Sequence, residues 1–380
     1  AKDYLKSMAF LDVFKNLNIG KTLSGLKKEQ RYLGVDIGSS SIKVVQLRKD
    51  KERPILETYG ELSLARYGAD GQVGRSIRIL DDKLAEALKD IMKEAQVTAQ
   101  KATVSIPIHD SFLTTIEMPN LPEAELKEAV PFEARKYIPI PMSEVVIDWW
   151  ILPPQTKELK AASPGSGQKK FINIILAAVP KDVIAKYSAI LKAVGLEVAA
   201  FEIEVFALAR ASLREAFGSI MLMDFGAATT KIAIADAGVV RSAHSIDHGG
   251  QELSLALSQS LSIDFDRAEI LKRQAGFIKR PENEEVISVL EPLFDFVTSE
   301  GERFLIDWKR KGGRAISKVL VGGGGALTPG IKDVLIKTYG VEVELINPFH
   351  KVIYPAFLEP ALKDIGPGFA NAVGLALREF

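Results

Sequence analysis

Residues 34–43 read GVDIGSSSIK, and this stretch decides the fold. An apolar strand ends at Asp36, a glycine follows two residues later, three serines come next, and a second strand begins at Ile42. Such a pattern predicts a β-hairpin whose tight turn has no bulky side chain, so that backbone N–H groups can approach an anion closely. The carboxylate at the end of the strand can hold a hydrated cation.

Residues 222–231, LMDFGAATTK, repeat this pattern. A single Asp-x-Gly turn is more often purely structural than part of a binding site, because both residues are ordinary turn formers. The second copy strengthens the case, and residues 319–327, VLVGGGGAL, add a strand that enters a glycine-rich turn. Together the two hairpins predict two similar half-molecules that face one phosphate chain between them.

In this order the three segments resemble the phosphate-1, phosphate-2 and adenosine motifs of the superfamily of actin, Hsp70 and sugar-kinase ATPases. The resemblance implies an α/β protein with the two-domain actin-like ATPase fold, in which a ribonuclease-H-like core is duplicated. It also implies ATP and Mg²⁺ as cofactors. The two hairpins would grip the β- and γ-phosphates, and the glycine-rich turn would lie under the adenosine.

The composition of the 380-residue chain excludes several classes of function. A hydrophobic fraction of 47% is typical of a globular protein, and a net charge of zero argues against a nucleic-acid partner. The absence of cysteine excludes disulfides and thiolate metal sites, and the histidines lack the spacing of zinc ligands. No apolar run approaches the roughly 20 residues that span a bilayer, and no signal peptide is visible, so we expect a soluble, cytoplasmic protein.

The order of predicted strands and helices divides the chain into five parts. Residues 1–30 form a lysine-rich amphipathic segment, with Phe10, Val13, Phe14 and Leu17 on one helical face. This segment is predicted either to pack on its own domain or to dock on a membrane surface or a partner. The other parts are the domain I core or subdomain 1A (31–110, 197–216 and 366–380), an inserted α+β subdomain (111–196), the domain II core or subdomain 2A (217–262 and 315–365), and subdomain 2B (263–314).

The insertion carries a helix that is bounded by prolines. Its sequence runs MPNLP at 118–122, PFEA at 131–134 and YIPIP at 137–141. Combined with the phosphate motifs, this pattern resembles the PilM family of type IV pilus assembly proteins, which are relatives of the cell-division protein FtsA. The resemblance covers nearly the whole chain, and it identifies the insertion as subdomain 1C, of the SHS2 type.

The resemblance to PilM proteins implies a role in pilus biogenesis and twitching motility. Such proteins bind the N-terminal cytoplasmic tail of the inner-membrane protein PilN in a groove between subdomain 1A and the insertion. We therefore expect a peripheral location at the cytoplasmic face of the inner membrane. Contacts with other platform proteins, with motor ATPases and between copies of the chain stay open. An FtsA-like filament-forming ATPase and a small-molecule kinase of the same superfamily are the alternatives.

The resemblance also assigns roles to individual residues. Asp36 and Asp224 would hold Mg²⁺ through water, and Asp224 and Glu204 would be the catalytic residues. Glu204 lies where relatives carry a carboxylate that orients the attacking water, although an acid that caps a helix is the alternative and hydrolysis is expected to be slow or absent. The predicted nucleotide ligands are Asp36, Gly38, Ser39, Ser40, Ser41, Lys43, Gly226, Ala227, Gly249, Gly250, Glu269, Lys272, Gly322, Gly323, Gly324 and Leu327.

Three of these ligands have a plain structural alternative. Lys43 follows Asp36 at the spacing of the phosphate-binding lysine of actin, but an outward-facing strand lysine would have the same spacing. Glu269 and Lys272 are one helical turn apart and fall where relatives contact the ribose. The same spacing would also give an ion pair exposed to solvent.

Overall fold

The fold is described from a computed structural model that covers residues 30–68, 72–76, 79–154, 171–214 and 218–380. The predicted amphipathic segment lies outside the described residues except for residue 30, and so do residues 156–170, for which the sequence predicts the tip of a hairpin. The described strands are β1 (Arg31–Ile37), β2 (Ser41–Asp50), β3 (Arg53–Ser63), β4 (Lys101–Ile106), β5 (Phe112–Pro119), β6 (Val145–Ile151), β7 (Phe171–Pro180), β8 (Glu197–Ile203), β9 (Ser219–Phe225), β10 (Thr230–Asp236), β11 (Val239–Ile246), β12 (Ile316–Gly322) and β13 (Glu342–Leu345).

Ten α-helices connect these strands in the described part of the chain. Most of them bury one apolar face against a sheet, as their 3.6-residue periodicity requires. They are α1 (Asp81–Glu94), α2 (Glu123–Ala134), α3 (Lys181–Ala193), α4 (Glu204–Ser212), α5 (Gly250–Leu261), α6 (Phe265–Ala275), α7 (Glu284–Arg310), α8 (Ile331–Tyr339), α9 (Glu359–Ile365) and α10 (Ala370–Ala376).

The two domain cores contain five-stranded sheets of identical topology. The strand order is β3-β2-β1-β4-β8 in domain I and β11-β10-β9-β12-β13 in domain II. In each sheet the first three strands of the domain pair antiparallel, and the remaining pairs are parallel. The predicted duplication is therefore present, and both phosphate-type hairpins occupy the same place in their sheets.

The insertion is a three-stranded antiparallel sheet, in the order β5-β7-β6. One face of its central strand packs against α2, while the other joins the core of domain I. There the Trp150 ring lies edge-on to Phe206 of α4, with 5.8 Å between centroids. The β5 edge of the insertion contacts domain II, where the Thr115 hydroxyl donates to the Arg241 carbonyl at 2.9 Å. The insertion thus contacts both domains.

The sequence of residues 284–311 predicts either one long helix or two helices broken near Pro292. The structure has the first arrangement, because α7 runs through this proline as one helix. The sequence predicts a final helix over residues 368–379, and this extent is wrong. Only Ala370–Ala376 is α-helical, and tighter 3-10 turns flank it.

Helix α10 is wedged between β1 and α4 by two glycines. A Cβ atom on Gly34 would lie 2.1 Å from the Ala372 carbonyl oxygen, and one on Gly374 would lie 2.0 Å from the Ala207 carbonyl oxygen. Both clashes are with backbone, which cannot rotate away. Because α4 begins at Glu204 and α10 carries Asn371, this packing also sets the positions of two residues of the cleft.

We expect Gly374→Ala to destabilise the protein by about 3 kcal/mol, at the upper end of overpacking effects. The new methyl group must push α4 and α10 apart, since its contact is backbone. Gly366→Ala is the matched control, because its Cβ would meet its nearest atom at an ordinary 3.4 Å. Thermal denaturation followed by circular dichroism measures both. Equal melting temperatures for Gly374→Ala and the wild type would contradict this packing argument.

Candidate functional site

The two hairpins present the same groups in the same geometry. Asp36 pairs with Lys43 across the first hairpin, and Asp224 pairs with Lys231 across the second. The Gly38 N–H donates to Ser41 at 3.0 Å, and the corresponding glycine N–H of the second turn donates to Thr229 at 3.1 Å. Each turn therefore combines a carboxylate, a lysine on the neighbouring strand and a small residue at its tip.

A cleft of about 1200 Å³, part of it open to solvent, lies between the two hairpins. Sixteen of the eighteen residues predicted from the sequence line it, and the exceptions are Gly249 and Gly322. Both glycines lie behind the cleft wall. A Cβ on Gly249 would lie 2.4 Å from the Ala227 carbonyl oxygen, so this glycine lets α5 approach the second hairpin. Gly322 ends β12 and is buried.

The floor of the cleft joins residues from three separate segments. Lys231 places its Nζ 3.2 Å from Glu204 Oε2 and 3.7 Å from Asp224 Oδ2. The other oxygen of Glu204 accepts the Ile108 N–H at 2.9 Å. Burial alone would lower the pKa of Lys231, but the carboxylates of Glu204, Asp224 and Asp36 raise it above its ordinary value. This lysine is therefore a fixed positive charge.

Lys43 of the first hairpin faces the cleft, and it is not an outward strand lysine. Its Nζ donates to the Ser41 hydroxyl at 2.8 Å and lies 3.0 Å from Glu61 Oε1. Only 13% of its side chain is exposed. The neighbouring hydroxyl and carboxylate hold the ammonium at the wall of the cleft, where it can meet an anion.

Glu269 and Lys272 form a buried pair, which excludes the solvent-exposed alternative. Their charged atoms lie 2.6 Å apart, and Lys272 also donates to the Gly250 carbonyl at 2.8 Å. Burial alone would raise the pKa of Glu269, but the neighbouring Lys272 holds this pKa below its usual value. Arg273 adds a bond to the same carboxylate at 2.7 Å. The loop of domain I that contains Gly74 reaches this pair, since a Cβ on Gly74 would lie 3.0 Å from Glu269 Cδ.

The glycine-rich turn after β12 closes the cleft from below. Gly323 has φ of +83°, a conformation that favours glycine, and its N–H donates to Pro367 at 2.8 Å. A Cβ there would lie 2.4 Å from Asp224 Oδ1. Asn371 of α10 donates to the other oxygen of Asp224 at 3.1 Å, while its own side-chain oxygen is buried without a hydrogen-bond partner.

The donor set fits a hydrated magnesium ion. Mg²⁺ binds one or two carboxylates and keeps several waters, and Asp36 and Asp224 supply one carboxylate from each side of the cleft. The Ser105 hydroxyl orients Asp36 through a 2.9 Å bond to its Oδ1. In the described ranges no group of three or more histidine, aspartate or glutamate side chains is placed to ligate a metal directly. Magnesium held partly through water agrees with this arrangement.

Several cleft residues were not predicted from the sequence. Lys231 carried a usable signal, because it follows Asp224 at the spacing that separates Lys43 from Asp36. Gly325 was missed although it lies inside the glycine-rich segment at 319–327. The remaining residues come from positions with no motif, and they are Glu61, Gly74, Arg273, Thr328, Pro367, Gly368, Ala370 and Asn371.

The family comparison agrees with this architecture. The profile of the family described as "Type IV pilus assembly protein PilM" matches residues 34–380. The chain belongs to this family. A solved structure titled "PilM-PilN type IV pilus biogenesis complex" is similar with a TM-score of 0.75 at 25% sequence identity, and the match covers 91% of this chain and 98% of that chain.

A second solved structure that resembles the chain in fold is that of the ethanolamine utilization protein EutJ from Carboxydothermus hydrogenoformans. Its structure matches with a TM-score of 0.54 at 18% identity, over 93% of this chain and 92% of that chain. These likenesses confirm the predicted actin-like fold. In the part of the chain that the structure describes, no helix is both long and apolar enough to cross a membrane.

Proposed function

We propose that this member of the PilM family binds Mg-ATP in the cleft and responds to it in type IV pilus assembly. The observation that carries the proposal is the pair of matching hairpins, each with a carboxylate and a lysine directed at one cleft. Backbone N–H groups of glycine-bearing turns and two lysines suit the terminal phosphates. Glu269 and Lys272, buried at the far side beneath Gly74, suit the ribose hydroxyls.

We further propose that the partner is the N-terminal cytoplasmic tail of PilN, bound between the domain I core and the insertion. The solved PilM–PilN complex supports this, since it resembles the chain over nearly its whole length. The insertion contacts both domains. Closure of the cleft on a nucleotide would therefore change the contacts of the insertion. Through PilN the protein would lie at the cytoplasmic face of the inner membrane. Platform proteins and motor ATPases are further candidate partners of this assembly.

The nucleotide part of the proposal is tested by isothermal titration calorimetry with ATP, ADP and AMP in the presence of Mg²⁺. We expect ATP to bind about 100-fold tighter than AMP, because charge-assisted hydrogen bonds to the terminal phosphates supply most of the affinity. Lys43→Met should weaken ATP binding about tenfold and leave AMP unaffected. Lys83→Met is the matched control, since Lys83 is an exposed lysine paired with Glu86 on α1. Equal affinities for ATP and AMP in the wild type would contradict the proposal.

A further inference from the structure

Lys231 differs from Lys43 in what surrounds its ammonium group. Lys43 is held by a hydroxyl and by Glu61 at the wall of the cleft. Lys231 lies instead on the floor, where Glu204 and Asp224 are within ion-pair distance and Asp36 is close enough to raise its pKa. Its side chain is only 14% exposed. The position of the strand fixes it there, because Lys231 pairs with Asp224 in the ladder between β9 and β10.

Both carboxylate oxygens of Glu204 are occupied. Oε1 accepts the Ile108 N–H at 2.9 Å, and Oε2 lies 3.2 Å from the Lys231 ammonium. The side chain is 5% exposed and is enclosed by the first turn of α4 and the end of β4. A general base needs a lone pair within hydrogen-bond reach of the water that it deprotonates, and each oxygen of Glu204 already directs one of its two lone pairs at a protein partner. Burial raises the pKa of Glu204 above its usual value, and the Lys231 ammonium is the strongest influence that opposes this rise, because its positive charge stabilises the ionised carboxylate.

The charges on the floor also balance in a particular way. Asp36, Glu204 and Asp224 carry three negative charges when ionised, and Lys231 neutralises one of them. The remaining two negative charges equal in magnitude the charge of one divalent cation. Without the ammonium, three carboxylates would face the phosphates of a nucleotide, and their repulsion would be strong because the site is largely buried.

We propose that Lys231 is a positioning residue that keeps Glu204 from acting as a general base, so that ATP bound in the cleft is held and not hydrolysed. The inference rests on the proposed binding of Mg-ATP. In the suppressed reaction the oxygen of a water would attack the γ-phosphorus, the bond to the β–γ bridging oxygen would break, and Glu204 would take the proton of the water. ADP and inorganic phosphate would be the products. Lys231 acts on this step through Glu204 and takes no part in the bond changes.

The first test is single-turnover hydrolysis of radiolabelled ATP with Mg²⁺. Lys231→Met keeps the length of the side chain and removes its charge, and it should hydrolyse ATP at least about tenfold faster than the wild type, since a positioned base contributes 10²–10⁴-fold. The double variant Lys231→Met/Glu204→Gln should lose this gain, and Lys231→Arg should stay slow. Lys318→Met is the matched control, because Lys318 is a strand lysine of domain II that pairs with Glu344 outside the cleft.

The second test measures how much ATP affinity Lys231→Met loses with and without the metal. If the lysine had only a structural role, the loss would be the same in both conditions. Calorimetry with ATP is done with excess Mg²⁺ and with EDTA. We expect Lys231→Met to lose about tenfold more affinity in EDTA than in Mg²⁺, because an unneutralised third carboxylate then faces the phosphates. A folded Lys231→Met that binds Mg-ATP without hydrolysing it faster than the wild type would overturn the inference.

Two results separate this inference from the proposed function. If the wild type binds no ATP, the proposed function fails and the inference fails with it. If the wild type binds Mg-ATP and turns it over rapidly, about once per second or faster as ordinary enzymes do, the inference alone is wrong. Rapid turnover by the wild type overturns the inference even if Lys231→Met does not fold.

Discussion

Asp224→Ala is expected to abolish the magnesium dependence of ATP binding and to leave the fold intact. Asp224 is the next-to-last residue of β9 and lies at the floor of the cleft, where Asn371 donates to its Oδ2 and Lys231 lies 3.7 Å from the same oxygen. It faces Asp36 from the opposite domain, so its loss leaves one carboxylate for the ion. Although Asp224 is buried, its carboxylate lines the cleft and contacts polar groups there, so its truncation removes little packing.

Calorimetry with ATP in Mg²⁺ and in EDTA measures the effect. In the wild type we expect Mg²⁺ to raise the affinity about 100-fold. A divalent cation held by Asp36 and Asp224 would neutralise negative charge on the phosphates. In Asp224→Ala the two conditions should give affinities that agree within about twofold, which is less than 0.5 kcal/mol. Asp247→Ala is the matched control, because Asp247 is an exposed aspartate just after β11 and outside the cleft. A variant that keeps the wild-type magnesium enhancement would exclude Asp224 from the metal site.

The local motifs of the cleft were predictable from sequence because each depends on a few adjacent residues. Asp36 and Gly38 define a strand end and a turn with no side chain at the tip, and the same pattern recurs at Asp224 and Gly226. The backbone of such a hairpin is determined almost entirely by local geometry. Hence both hairpins, and the duplication that they imply, could be predicted before any contact between them was known.

Relations between distant segments could not be predicted in the same way. The Glu204 carboxylate is engaged by Ile108 from one domain and by Lys231 from the other, and neither contact leaves a trace in the sequence near residue 204. The burial of the Glu269–Lys272 pair likewise depends on Gly250 and on the loop of domain I at Gly74. An i,i+3 spacing is the same whether the pair faces solvent or a cleft. Only the assembled fold distinguishes the two.

The largest effect that we expect on partner binding concerns the insertion. A peptide with the sequence of the N-terminal PilN tail should bind the intact protein and fail to bind a variant in which a short linker replaces residues 111–196. An extended tail adds to an open sheet edge through main-chain hydrogen bonds. In the insertion, the β5 edge lies against domain II through Thr115. Among the described residues no strand pairs with the outer edge of β6, and we expect the tail to add there.

The register of β6 identifies the groups that would meet the tail. Leu152 donates its N–H to the Asn173 carbonyl at 2.8 Å, which fixes the phase of the ladder to β7. In an antiparallel ladder the hydrogen-bonded residues alternate, so the N–H of Ile147 points away from β7. Ile147→Pro removes this outward N–H and spares the ladder, as a proline in an edge strand does. We expect it to weaken tail binding at least about tenfold, with Ile147→Val as the control that keeps the N–H.

Fluorescence anisotropy with a labelled tail peptide measures these affinities in apo and ATP-bound protein. We expect at least a fivefold difference between the two states, within the range of ordinary allosteric coupling, because Trp150 and Thr115 connect the insertion to both domains across the cleft. By linkage the peptide must change the ATP affinity by the same factor.

The linker variant also loses the Trp150–Phe206 contact, so its fold must be confirmed by ATP binding. Deletion of residues 156–170 alone should leave binding unchanged, whereas a tail that still binds the linker variant would place the partner site outside the insertion.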